Sequence, residues 1–385
     1  MSNVQATANK LYENLYVGRP NIGNRDRLLK RINEMLDRRW FSNDGPFVKE
    51  FEARIAEFLG VKNCIALCNA TVALEIASRA LDLHAEVIVP SYTFIATAHA
   101  LQWQEITPVF CDMDPATHNM DPEKIERLIT PKTTGIIGVH VWGRGCDTDA
   151  IEQIAAKHNL KVMYDASHGF GCTRNRQMIG TAGSCEVFSF HATKFINCFE
   201  GGAVVTNDDT LAEKMRLMRN FGFKGFDNVD YLGVNGKMNE ACAAMGLTSL
   251  EAMDEIIAVN RRNYDAYMAG LAELPGINLI YYDPDERNNY QYIVIEVDPD
   301  SCPRTRDEIV ATLHANNVIA RKYFWPGCHR MEPYRSLQPN ANLLLRETER
   351  TAAKVIVLPT GQEVSEETVQ RVCSIIKDAV AARKC

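Results

Sequence analysis

Phe188–Asp208 reads FSFHATKFINCFEGGAVVTND. It opens and closes like a buried β-strand, and between the strands stands one lysine, Lys194, with Ser189, His191 and a Glu-Gly-Gly turn around it. The simplest reading is a solvated loop lysine, since most lysines face water. A second stretch, LKVMYDASHGFG, weakens it: Asp165 ends an apolar strand, and open α/β sheets bind ligands beyond the carboxyl ends of their strands. A lysine in a partly dry site gives up its proton readily and attacks carbonyls.

Outward from these stretches the chain alternates between two periods. Short β-branched runs (CIAL, EVIVP, TPVFCD, GIIGVHVWG, LKVMYD, CEVFSF, GAVVTND) are interleaved with helical stretches such as TVALEIASRAL, TFIATAHALQ and DTDAIEQIAAKHN. The pattern predicts βα units in a largely parallel, doubly wound sheet, and the continuous apolar runs suit strands covered on both faces. A long helical pattern, MNEACAAMGLTSLEAMDEIIAVNRRNYDAYMAGLAEL, leads into a tail of different character. There a strand in YQYIVIEVD, a helix in TRDEIVATLHANN, a strand near VIARKYF and a last helix in SEETVQRVCSIIKDAVAA predict a smaller α+β unit. The expected division is a large domain over 1–255 and a small one over 256–385, the small one's α+β character becoming plain from about Pro275.

Composition narrows the classes. With 385 residues the chain can bury a sizeable core, and 46% hydrophobic with 24% charged residues is ordinary for a globular protein. A net charge of −7 without a dense basic run argues against nucleic acid as a partner. No stretch approaches the roughly 18 apolar residues of a spanning helix, and the N-terminus lacks a signal-type apolar core, so no membrane partner is expected and the cytoplasm is the expected location. The twelve cysteines contain no CxxC and no zinc-type spacing, so they are read as reduced, small, buried hydrophobes and no metal is expected.

A lysine amine paired with an acid for a pyridinium nitrogen is the signature of a pyridoxal 5′-phosphate (PLP) site. Its phosphate needs a strand–turn–helix with small residues at the helix start, and ALCNATVAL offers Asn69-Ala70-Thr71, which reads equally as an ordinary N-cap.

GPFVKEFEARIAEFLGV, NATVALEIA, VIVPSYTFIATAHA, DMDPATHNMD, YDASHGFG, FSFHATKFINCFEGGAVVTND, GVNGKMNEACAAMGL and VIVLPTG occur in this order. Together they resemble the DegT/DnrJ/StrS sugar-nucleotide aminotransferases, over nearly the whole chain. The resemblance implies the fold type I architecture of PLP-dependent transferases and a set of roles. Lys194 is similar to the family's Schiff-base lysine, and Asp165 to the acid on the pyridinium nitrogen. His168 stands where many members have a glutamine near the cofactor hydroxyl, and a structural histidine is the alternative. Phe94 matches a residue stacked on the ring, with core filler as the alternative. Ala70, Thr71 and Ser189 match the phosphate cradle. Asn235 resembles an asparagine that reaches the phosphate of the other subunit, which implies a homodimer with shared sites. Lys237 stands where arginine is usual, and Glu200 is read as part of the loop.

The resemblance further implies L-glutamate as amino donor and a nucleotide-linked keto sugar as acceptor. SFHATK is similar to the subgroup acting at C4 of the hexose, which points to dTDP-4-keto-6-deoxy-D-glucose as substrate and dTDP-4-amino-4,6-dideoxy-D-glucose as product. Amination at C3 and a non-enzymatic regulator on the same fold are the alternatives. Arg321 and His329, in the cation- and aromatic-rich RKYFWPGCHRMEPY, are expected to read the diphosphate, against a plain surface loop. A nucleotide-dependent oxidoreductase is the rival class, but GFGCTR has Arg174 where a third glycine belongs and follows the wrong element.

Overall fold

The computed structural model describes residues 11–381. Strand β1 (Leu15–Tyr16) precedes helices Arg25–Arg38 and Pro46–Leu59. The alternating region follows: β2 (Asn63–Leu67), β3 (Glu86–Pro90), β4 (Thr107–Cys111), β5 (Thr133–Val139), β6 (Lys161–Asp165), the small hairpin β7 (Thr173–Arg174) and β8 (Gln177–Met178), then β9 (Glu186–Ser189) and β10 (Gly202–Thr206). Seven of these strands form the central sheet in the order β2-β10-β9-β6-β5-β3-β4. All neighbours from β9 to β4 are parallel, and β10 alone runs antiparallel, to both β2 and β9.

This topology places the site. β2 and β9 flank β10 and point the same way as β6, so the chain after β2, β3, β6 and β9 emerges at one edge, the carboxyl edge of the parallel strands. Asn69, Phe94, Asp165 and Lys194 all follow or end those strands. Both faces of the sheet are covered. Helix Ala70–Ala80 buries Ala73, Leu74, Ile76 and Ala77 on one face, and helices Pro46–Leu59 and Glu240–Glu251 pack on the other, around Phe51, Ile55 and Leu247. The continuous apolar runs of β2 and β10 are buried at every position, as strands with two covered faces require.

After the exposed hairpin β11 (Phe223–Lys224) and β12 (Asn228–Val229), the long helical pattern breaks at Ala252 into Glu240–Glu251 and Met253–Leu271. A second, antiparallel sheet joins β13 (Ile277–Leu279), β14 (Ile293–Val297) and, beyond β15 (Val318–Ile319), β16 (Val355–Leu358) in the order β13-β14-β16. Helices Met253–Leu271, Arg306–Ala315 and Glu366–Ala381 contribute Tyr267, Ile309 and Ile376 to its core. One feature departs from a simple split of the chain near residue 255: β1 pairs in parallel with β15, so the N-terminal segment returns to the C-terminal unit. Among the described residues no helix is long and apolar enough to cross a membrane, and every cysteine is unpaired.

Candidate active site

Asp165 is the last residue of β6, buried, with Val139 of β5 on one side and Val187 of β9 on the other. One carboxylate oxygen accepts from the Thr97 hydroxyl at 2.8 Å and the other from the Ser167 backbone N–H at 3.0 Å. Thr97 is tied in turn to Thr93 at 3.0 Å. The carboxylate is thus oriented from both sides, and each oxygen keeps a further lone pair for a cation or N–H donor.

Ser189 lies two residues beyond Val187, at the end of β9. Gly202, at the start of β10, pairs with Ser189 on one side and with Leu67 at the end of β2 on the other. Leu67 leads directly into the start of helix Ala70–Ala80, so Ser189 and that helix start flank a single glycine. A Cβ at Gly202 would sit 2.6 Å from the Ala70 nitrogen, which is why the strand can come this close only with glycine there. Asn69 caps the helix, accepting from Val72 N–H at 2.8 Å. The cap leaves the first helical N–H groups, at Ala70 and Thr71, without partners inside the helix, the arrangement that receives a phosphate. The Asn69 cap is present and does not compete for those two N–H groups.

Lys194 lies in the connection between β9 and β10, half-buried, and its Nζ donates to the Tyr292 hydroxyl at 3.1 Å. Burial depresses its pKa to about 8, partly opposed by the charge of Asp165. Half-buried and bonded to a buried hydroxyl, Lys194 is not the solvated loop lysine of the simplest reading.

His168 is buried in an aromatic nest of Trp142, Tyr292 and Phe324, with ring centroids at 6.0, 4.5 and 5.9 Å. Its Nδ1 accepts the Trp142 backbone N–H at 3.2 Å, which leaves the ring proton on Nε2. Burial, and then the charge of Lys194, hold it well below the usual histidine range, so it is a neutral donor. Trp142 presents that N–H from a left-handed backbone, φ 63°, a conformation that costs a non-glycine residue on the order of 1 kcal/mol.

The remaining expected residues fall in three places. Phe94 is 56% exposed beside the carboxyl edge, so it is no core filler. Asn235 is exposed and bridges to Asn220 just beyond the β11–β12 hairpin, while Lys237 donates to Asn220 at 2.8 Å and lies 4.7 Å over the Phe221 ring. Arg321 is exposed and stacks on Tyr323 at 5.0 Å. His329 corrects its expectation. It is 2% exposed, its Nδ1 is bonded to the Ser91 hydroxyl at 2.8 Å, and its Nε2 to Glu349 at 3.2 Å. Burial pushes its pKa down, against the pull of Glu349. With both ring nitrogens engaged, it ties helix Arg346–Lys354 to the end of β3 and has no free edge for a diphosphate. Glu200 is an exposed loop residue, 3.6 Å from His191.

Comparison with known proteins fits this geometry. A family model, the DegT/DnrJ/EryC1/StrS aminotransferase family, matches residues 23–377. The chain belongs to that family. It is 37% identical over 365 residues to a dTDP-4-amino-4,6-dideoxy-D-glucose transaminase of Shigella dysenteriae, covering 94% of this chain and 98% of the relative. It is also 36% identical over 352 residues to the GDP-perosamine synthase of Caulobacter vibrioides, covering 90% and 93%. Among solved structures, DesI in the presence of its TDP-sugar product superposes with a TM-score of 0.93 at 46% identity, covering 97% of this chain and 94% of DesI.

The DegT/DnrJ/EryC1/StrS aminotransferases are PLP enzymes. The residues present here fit the cofactor on chemical grounds: a buried, oriented carboxylate for a pyridinium nitrogen, a depressed amine for an aldehyde, and a helix start with Ser189 for a phosphate. Tyr292, which bonds the lysine, was not singled out by sequence reasoning.

Proposed function

We propose that this aminotransferase moves the amino group of L-glutamate to C4 of a dTDP-linked 4-keto-6-deoxyhexose, dTDP-4-keto-6-deoxy-D-glucose, giving dTDP-4-amino-4,6-dideoxy-D-glucose. The observation that carries the sugar is the match to DesI with its TDP-sugar product, at 46% identity across nearly the whole chain. The Shigella dysenteriae and Escherichia coli transaminases, 37% and 34% identical, support the same choice. The amine of Lys194, beside the buried Asp165 carboxylate, supports amino transfer.

Bound at this site, PLP supplies an aldehyde for the amine and a ring that accepts the electrons of a broken C–H bond. Asp165, fixed by Thr97 and Ser167, would keep a proton on its ring nitrogen. Ala70, Thr71 and Ser189 would hold its phosphate, Phe94 would lie against its ring, and the His168 Nε2–H is the donor available for its hydroxyl. Lys194, with its pKa near 8, takes the Cα proton of glutamate and in the second half-reaction delivers a proton to C4 of the hexose. Arg321, exposed beside Tyr323, reads the diphosphate.

The working unit is a homodimer in the cytoplasm. The segment around the β11–β12 hairpin exposes Phe221, Phe226, Val229, Leu232 and Val234, with Phe226 97% exposed. Such a patch on one chain suits burial against a second copy, and Asn235 lies within reach of it. The substrate is tested with a panel of dTDP- and GDP-linked keto sugars, L-glutamate and mass analysis of products. Preference for the dTDP-linked 4-keto-6-deoxy sugar upholds the proposal, and preference for a GDP-linked sugar sinks it.

A further inference from the structure

Tyr292 reaches the active site from the second sheet. It immediately precedes β14, the middle strand, which is paired on both sides by β13 and β16. Its backbone carbonyl accepts from the Tyr282 hydroxyl at 2.8 Å, and its buried ring packs against His168 at 4.5 Å and Trp142 at 5.2 Å. The hydroxyl is therefore held by a strand and an aromatic nest, and it stands 3.1 Å from Lys194 Nζ.

The titratable groups around this amine come from different elements. Asp165 ends β6, His168 follows it and is neutral, and Tyr323, beyond β15, bears on Tyr292 itself. Burial keeps Tyr292 a phenol far above its usual range. A phenol both donates and accepts, whereas an ammonium only donates and a neutral amine accepts through its lone pair. One fixed hydroxyl can hold Lys194 in either state by turning its O–H.

We propose that Tyr292 is a catalytic residue of this enzyme: its hydroxyl is the docking point of the free Lys194 amine, which it steadies between proton uptake and proton release. When Lys194 gains a proton, a new N–H donates to the phenolic oxygen. When it loses one, the phenolic proton turns toward the nitrogen, and Tyr292 itself ends with the proton it began with. The role rests on the aminotransferase reading, but the contact can be tested without any substrate.

The test is Tyr292→Phe in the full chain freed of cofactor, with the Lys194 amine titrated by competitive acetylation and peptide mass spectrometry. The wild-type midpoint is expected near pH 8. A bond from a charged donor stabilises the ammonium, so its loss lowers the midpoint by about one unit, tenfold in the protonation constant. Tyr292→Leu, run in parallel, must shift it the same way, and Tyr281→Phe, at an exposed neighbour, must leave it in place. Thermal melts show which variants are folded. An unchanged or raised midpoint in a folded Tyr292 variant overturns the proposal. In the loaded enzyme kcat should fall while KM for both substrates holds; a rise in KM alone also overturns it. A wild-type chain that transfers no amino group, while the midpoint still shifts in the variant, upholds the contact and sinks the aminotransferase reading instead.

Discussion

In the proposed mechanism Lys194 and Asp165 carry the chemistry, and each can be changed with little damage to packing. Lys194→Ala deletes the amine from a connection between strands, so the fold should survive while turnover falls at least 10³-fold, as loss of a general base and its covalent anchor implies. Melting temperature and glutamate-dependent turnover check the two halves; activity within tenfold of wild type would remove Lys194 from the mechanism. Asp165→Asn keeps the bond from Thr97 and loses the negative charge, so proton removal from glutamate should slow by about 3 kcal/mol, near 10²-fold. Stopped-flow absorbance of the glutamate half-reaction measures it, and an unchanged rate would make Asp165 a purely structural acid. Both residues stood out because one ionisable group ends an apolar strand and the other lies between two, and that contrast survives in one dimension. Tyr292 was not legible: it is 98 residues from its partner, and within YQYIVIEVD it reads as one more strand residue. His329 was misread for a related reason, since a cation-rich segment gives no sign of which of its cations is buried.

Elements with a strong period were legible, while β1, held only by distant pairing, was not. The strands around Lys194, the helix after β2 and the last helix each announce themselves by apolar spacing. β1 is two residues long, too short for any period, and only its pairing with β15, the strand expected near VIARKYF, defines it. The helix pair on the outer face adds a charge device that spacing also hides. Glu251, ending helix Glu240–Glu251, bonds Arg27 and Arg31 of one N-terminal helix and Arg54 of the other. Burial opposes its ionisation, but the three guanidinium groups win and hold it at about 2. Its folded pKa lies below the unfolded one, so its contribution is full above the ordinary carboxylate range and fades as pH falls toward about 2. Glu251→Gln should cost about 2 kcal/mol at neutral pH, and its gap to wild type should narrow between about pH 5 and pH 3. Denaturant titrations across that range check this; a gap independent of pH would mean the three arginines do not act through charge.

At the scale of the whole molecule, a site assembled at the carboxyl edge of one sheet borrows Tyr292 from the other and, in our proposal, Asn235 from a second chain. Asn235→Asp would set a negative charge beside the partner's phosphate cradle and abolish cofactor retention. Mixed with Lys194→Ala and allowed to exchange subunits, it should regain activity, because one site of each mixed dimer then carries every native group. Absence of rescue after verified exchange between two folded, inactive parents would place Asn235 within its own subunit. The alternation of periods made the large sheet readable, while the proposed assembly rests on an exposed apolar segment without any period of its own. The central claim, amino transfer to C4, is tested most directly by turnover of dTDP-4-keto-6-deoxy-D-glucose with ¹⁵N-labelled L-glutamate, followed by NMR of the sugar product. The account predicts ¹⁵N bonded to C4 of the hexose; ¹⁵N at C3, or no labelled sugar from an enzyme competent with glutamate, would contradict it.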